Sequence, residues 1–177
     1  MIKRLLGRML SIESHIRGQI RVSTFFWRKV PLLGKPISLI LDRLLLWCYA
    51  IDLQAHSIRV AQLAISHPGG VLLGGNGVVS TGRVAIMAGV KLVARSPSDP
   101  EYLRRHATRE VFRLGDNVVI GANAVVIGPI DICDNVVIGA MSLVNKSITE
   151  PGVYVGTPVR RIADVNSDEW VAHLPKI

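Results

Sequence analysis

The sequence predicts an all-β solenoid, a parallel β-helix preceded by a short N-terminal helical segment. Two observations carry that expectation. Leu114, Ile120, Val126, Ile132, Ile138 and Val144 recur at an interval of six, and the residues four places after each (Val118, Ala124, Ile130, Val136, Ser142 and Ile148) are small or aliphatic. Helices repeat near 3.6 residues and strands near 2, so neither accounts for a period of six. Hexapeptide spacing marks a coil in which each short strand forms one wall and a turn follows it. Gly115, Gly121 and Gly139 follow three of the leading aliphatics, where a small residue lets the chain turn a corner.

Upstream the repeat continues through Leu73, Val79, Ile86 and Leu92, with Ile86 one residue late and a slip of two between Ile65 and Leu73. His67 lies in that slip. From Ser96 to Arg113 the period disappears into SPSDPEYLRRHATREVFR, which is polar and carries two prolines. Such an interruption reads as a loop thrown out from the solenoid, and loops of this kind often serve a site. The expected organisation is a basic helical segment over 1–50, a β-helix over 51–162 with a loop insertion at 96–113, and a tail over 163–177.

Charge is concentrated at one end. Residues 1–50 contain nine Lys and Arg against Glu13 and Asp42, so seven of the eight net positive charges lie there. Ile2, Leu5, Leu6, Met9 and Leu10 recur at helical spacing beside Lys3, Arg4 and Arg8, a basic amphipathic pattern suited to an anionic membrane surface. Pro36 opens a second helix, PISLILDRLLLWCYAI. The helices are expected to cap the first coil or pack on a neighbouring subunit. No apolar stretch is long enough to span a bilayer, and the early apolar run is broken by Arg8 without a cleavage site after it. Cys48 and Cys133 make no disulfide framework, which implies a reducing, cytoplasmic setting, and the basic N-terminal segment adds the expectation of peripheral contact at the inner membrane face. Nucleic acid is not an expected partner, because the basic residues are not interleaved with aromatics on a recognisable module.

No zinc spacing, phosphate loop or Gly-x-Ser-x-Gly nucleophile motif occurs, so no metal is expected and chemistry falls to a histidine with a carboxylate. His67, followed by Pro68-Gly69-Gly70, sits where the period breaks. Asp52 lies fifteen residues earlier, close to one coil, and stacking on the adjacent turn would let it fix the imidazole tautomer.

At these residues the chain resembles the left-handed parallel β-helix acyltransferases, in the branch of serine acetyltransferases and exopolysaccharide O-acetyltransferases such as the colanic acid enzymes. The matching pieces are Asp52-Leu53-Gln54-Ala55, Ile65-Ser66-His67-Pro68-Gly69-Gly70, Arg105-His106 and Gly156-Thr157-Pro158-Val159-Arg160. The resemblance implies His67 as general base, Asp52 as its partner, a backbone oxyanion contact near Ala94, and acceptor contacts from Arg105 and His106. It also implies coenzyme A beside Gly121-Ala122 and Gly139-Ala140, with Arg160 and Arg161 toward its phosphates, in a homotrimer. Turn geometry alone also accounts for the Gly-Ala pairs.

The expected activity is direct acetyl transfer from acetyl-CoA to a sugar hydroxyl during exopolysaccharide, capsule or lipopolysaccharide assembly, on a free or lipid-linked saccharide. The insertion SPSDPEYLR and the short N-terminal segment favour that acceptor. The alternative is a serine O-acetyltransferase with the same machinery. A γ-type carbonic anhydrase needs a third histidine that is not evident, and a non-catalytic scaffold would not bind coenzyme A.

Overall fold

A computed structural model describes residues 11–165, so the amphipathic stretch at 2–10 and the tail beyond Val165 lie outside the described residues. Two antiparallel helices come first, α1 (Ile12–Lys29) and α2 (Gly34–Tyr49). Ser11 caps α1 by accepting from the Ser14 amide, and Arg28 and Lys29 occupy its last turn, where cations oppose the helix dipole. The α2 helix matches the one expected after Pro36. The α1 helix lies in a stretch from which no separate helix was expected.

The rest is a left-handed β-helix with five described coils. The first wall is β1 (Asp52–Leu53), β3 (Leu72–Leu73), β5 (Lys91–Ala94), β8 (Val125–Gly128) and β11 (Leu143–Val144), in parallel register. The second wall takes the opening halves of β2 (Ile58–Ile65) and β4 (Val78–Ile86), then β6 (Phe112–Leu114) and β9 (Ile130–Ile132). The third takes their closing halves with β7 (Val118–Ile120), β10 (Val136–Ile138) and β12 (Gly152–Gly156). β13 (Val159–Ala163) turns back antiparallel on β12 and ends the stack.

All twelve residues of the six-residue pattern point inward and are buried. Burying an aliphatic side chain of this size contributes roughly 1.5–3 kcal/mol, so the column of them is the main stabilising element. One inward assignment is corrected. Val79 is half-buried and faces out, while Val78 and Ser80 point in. Val78 pairs with Phe112 and Val79 with Arg113, so Ser80 comes next in register with Leu114. Ser80, Ile86 and Leu92 then keep the interval of six, and the late Ile86 is no irregularity. The Ser80 hydroxyl is satisfied by donating to Gly115 O (2.9 Å) and accepting from the Gly82 amide (3.0 Å).

The helical hairpin closes the open end of the prism. Ile16 and Leu45 belong to the same core as the coil aliphatics. A buried polar cluster fixes the junction: Ser23 donates to Asp42 (2.7 Å), and Asp42 accepts from the Ala55 amide (3.2 Å) in the 3-10 turn between β1 and β2. Burial raises the Asp42 pKa above its ordinary value, partly offset by the Ser23 hydrogen bond.

The 96–113 insertion is more ordered than a loop. It holds α3 (Pro100–Thr108), capped by Asp99, which accepts from the Glu101 and Tyr102 amides, and started by Pro100. Arg109 ends it in the left-handed conformation. The periodicity missed this helix because only nine residues carry it and its polar face dominates.

Candidate active site

Regular corners between the third and first walls hold four residues, as in Met87 to Val90 between β4 and β5. The corner between β2 and β3 holds six, Ser66 to Val71, and this is the slip of two seen in the sequence. His67 occupies it with φ 55, a left-handed conformation that histidine tolerates better than most residues, and its side chain is exposed. The two extra residues are His67 and Pro68: Gly89 N donates to Gly69 O (2.9 Å), so Gly69 takes the place that Ala88, Ala122 and Ala140 hold in the following coils, and His67 is added beside it. Backbone bonds from Asn123 N to Ala88 O (2.8 Å) and Met141 N to Ala122 O (2.9 Å) hold that column. Gly121-Ala122 and Gly139-Ala140 therefore lie along one edge of the prism, headed by Gly69 with His67 beside it. Packing already requires Gly121: a Cβ there would sit 2.6 Å from Ala140 N.

The other edge of the first wall carries a second constellation. After Leu73 the chain turns through Gly74-Gly75-Asn76-Gly77, one residue more than the interval of six allows, and α3 folds back over this corner. Asn76 Nδ2 donates to His106 O (3.1 Å), and Arg59 donates to Thr108 O (3.1 Å) and Arg109 O (2.9 Å). Gly77 permits the approach, since with φ 126 a Cβ would fall 2.1 Å from Arg109 C. Between helix and wall lies a cleft of about 600 Å³, lined by Asp52, His56, His106, Tyr102, Arg43 and Arg109 among others.

Asp52 and His106 thus line one cleft, and His67 is not part of that lining. Asp52 projects from the first wall in register with Leu72, five residues beyond His67, and no hydrogen bond joins the two side chains. The expected Asp52–His67 hydrogen bond is not formed in this structure, and the two extra corner residues, His67 and Pro68, stand outside the stacked column.

Arg105 is also reassigned. Its guanidinium is buried and forks onto Asp131 (2.9 and 2.7 Å), with a further contact to Glu101 (2.8 Å). The Asp131 hydrogen bonds raise its pKa further, so it stays a fixed cation that anchors α3 and does not face the cleft as an acceptor contact. Arg160 and Arg161 are both exposed, and Arg161 donates to Pro151 O (2.8 Å) and forms an ion pair with Asp164. Ala94 ends β5 opposite Gly128, half-buried at the edge where the insertion leaves.

Four cleft residues were not foreseen: His56, Arg43, Tyr102 and Arg109. His56 is buried in the turn of coil one, with its ring stacked on Trp27 at 3.7 Å between centroids and 7° between planes. Burial, and then repulsion from Arg109 and Arg28, lowers its pKa to about 4. Its Nδ1 is buried without a partner among the described residues. The sequence signal for Arg43 was available, as a cation interrupting an otherwise apolar helix.

Comparison with known proteins gives a consistent picture. Residues 113–146 match the family described as bacterial transferase hexapeptide (six repeats). A serine acetyltransferase of Buchnera aphidicola subsp. Acyrthosiphon pisum is 25% identical over 162 residues, covering 92% of this chain and 55% of its own. The serine acetyltransferase of Mycobacterium tuberculosis is 35% identical over 108 residues, covering 61% of this chain and 43% of its own. Among solved structures, the Neisseria gonorrhoeae serine acetyltransferase superposes with a TM-score of 0.72 at 22% identity, over 88% of this chain and 57% of that one. The soybean enzyme complexed with serine gives 0.63 at 26% identity, over 81% and 54%. The chain spans about half the length of the relatives it matches.

Proposed function

We propose that this chain is an acetyl-CoA-dependent O-acetyltransferase whose acceptor is the side-chain hydroxyl of a small amino acid of the serine type. The observation that carries the acceptor class is the charge arrangement of the cleft: one carboxylate, Asp52, with the cations Arg43 and Arg109 in the same lining. A zwitterion needs an anion for its ammonium and a cation for its carboxylate. A neutral saccharide has no use for two guanidiniums. The relatives named as serine acetyltransferases support the same acceptor over the polysaccharide first expected.

In this reading Asp52 receives the acceptor ammonium, Arg43 and Arg109 the carboxylate, and His106 the hydroxyl. His67 is the base. It takes the hydroxyl proton as the oxygen attacks the thioester carbonyl, and backbone near Ala94 stabilises the oxyanion. The carbon–sulfur bond then breaks and the imidazolium returns its proton to the departing thiolate, leaving an ester and free coenzyme A. The pantetheine arm would follow the edge of Gly121-Ala122 and Gly139-Ala140 toward His67, with Arg160 toward the phosphates.

His67 and His106 stand on opposite edges of one wall, so the proposal requires a homotrimer in which one copy's His67 edge meets the next copy's cleft. Complementation tests this. His67→Ala and His106→Ala should each lower turnover at least about a hundredfold with L-serine. Co-expressed at equal levels, they should recover about a quarter of wild-type activity, because random mixing restores one interface in four. No recovery on mixing would place the whole site within one copy. Acetylation of a saccharide but not of L-serine would return the acceptor to the first expectation.

A further inference from the structure

We infer that the α1–α2 hairpin is a docking surface for an anionic lipid bilayer. The turn between the helices is Val30-Pro31-Leu32-Leu33. The Leu33 amide donates to Pro31 O at 2.7 Å, closing a three-residue turn with Leu32 at φ 62. A bulky L-residue rarely holds that conformation. Here it drives the leucine outward, so that Leu32 is 95% and Leu33 66% exposed. The apolar surface continues along the outer side of α2 through Ile40, Leu44 and Trp47, the last 80% exposed. Isolated exposed leucines need no explanation, but a continuous apolar face of this kind marks an interaction site.

Charge selects the occupant. Arg28 and Lys29 precede the turn and Lys35 follows it, with Lys35 Nζ 5.7 Å from the Trp27 ring centroid. Within residues 11–50 the only acids are Glu13 and Asp42, and Asp42 is buried against Ser23 and Ala55. A second copy docking turn to turn would bring Arg28, Lys29 and Lys35 toward their own equivalents without a compensating acid. An acidic headgroup layer satisfies those cations while leucines and tryptophan enter the acyl boundary. No helix of the described residues is long and apolar enough to cross a membrane, so the contact is one of lying on the surface.

Co-sedimentation of the full chain with lipid vesicles tests it. Vesicles containing phosphatidylglycerol should bind at least about tenfold more strongly than phosphatidylcholine vesicles, with the difference shrinking in high salt. Leu32→Asp with Leu33→Asp should abolish binding, while Leu103→Asp, on an exposed leucine of α3, should leave it intact. Should the double aspartate variant unfold by circular dichroism, Arg28→Gln, Lys29→Gln and Lys35→Gln together provide the second readout. Their loss should weaken binding roughly a hundredfold, since each near-surface cation contributes about fivefold. Indifference to lipid charge, or unchanged binding by a folded variant, would overturn the inference. So would a fall in oligomeric state in the Leu32→Asp, Leu33→Asp variant when the wild type binds no vesicles, which would assign the face to a second copy.

Discussion

Arg105 separates a contact with substrate from support of the site, and the structure permits a quantitative expectation. The guanidinium makes two hydrogen bonds to Asp131 and a third contact to Glu101, with the arginine side chain 10% exposed and the two carboxylates nearly half exposed. Charge-assisted hydrogen bonds contribute roughly 1.5–3 kcal/mol each when shielded, and solvent on the carboxylate side reduces this. A total near 2 kcal/mol is expected for holding α3 against β9. Removing it would lower the population of seated helix, and with it His106 and Tyr102, by up to about thirtyfold. The assay is a double-mutant cycle on Arg105→Ala and Asp131→Ala, read in urea unfolding and in kcat/KM for the acceptor. The two should couple by about 1–3 kcal/mol, and Arg105→Lys should fall between, because it keeps the charge but loses the fork. Additivity within about 0.5 kcal/mol, together with a raised acceptor KM and unchanged stability, would refute the argument. Arg105 would then be a substrate contact after all.

Three further expectations follow from the same geometry. His56 has its folded pKa lowered from 6.5 to about 4, so its contribution to stability is present above about 6.5 and is lost as the pH falls toward 4. That loss should approach 3 kcal/mol and be flattened in His56→Phe, which keeps a ring on Trp27; parallel pH profiles of unfolding free energy would contradict it. Gly77→Ala should destabilise by at least about 2 kcal/mol in thermal melts, because its Cβ meets Arg109 backbone at a positive φ, whereas Gly18→Ala, on α1 with nothing within 4 Å, should stabilise by about 0.5–1 kcal/mol. Gly121→Val should lower the melting temperature even without coenzyme A, since the Ala140 backbone occupies the space a side chain needs.

The sequence by itself determined the solenoid. Each coil repeats the same inward positions, so a short local pattern reports the global wall, and every residue of the period from Leu114 to Ile148 is buried as expected. It also marked where the walls are interrupted: the extra residues around His67, and the insertion expected over 96–113, whose last two residues the structure gives to β6. Departures from a strict period are visible in one dimension because the period is local. What interruptions do is a three-dimensional matter. Only the tertiary structure decided that the insertion contains a helix, that Arg105 turns to Asp131, and that Asp52 and His106 line one cleft whose lining does not include His67. Val79 and Val78 exchange places for a related reason: side chains alternate along a strand, so one extra residue at the Gly74–Gly77 corner reverses which valine faces in. His56 and Arg109 lie 53 positions apart in the chain and share that cleft only because α3 folds back across the coils, a meeting set by Asn76, Arg59 and Gly77.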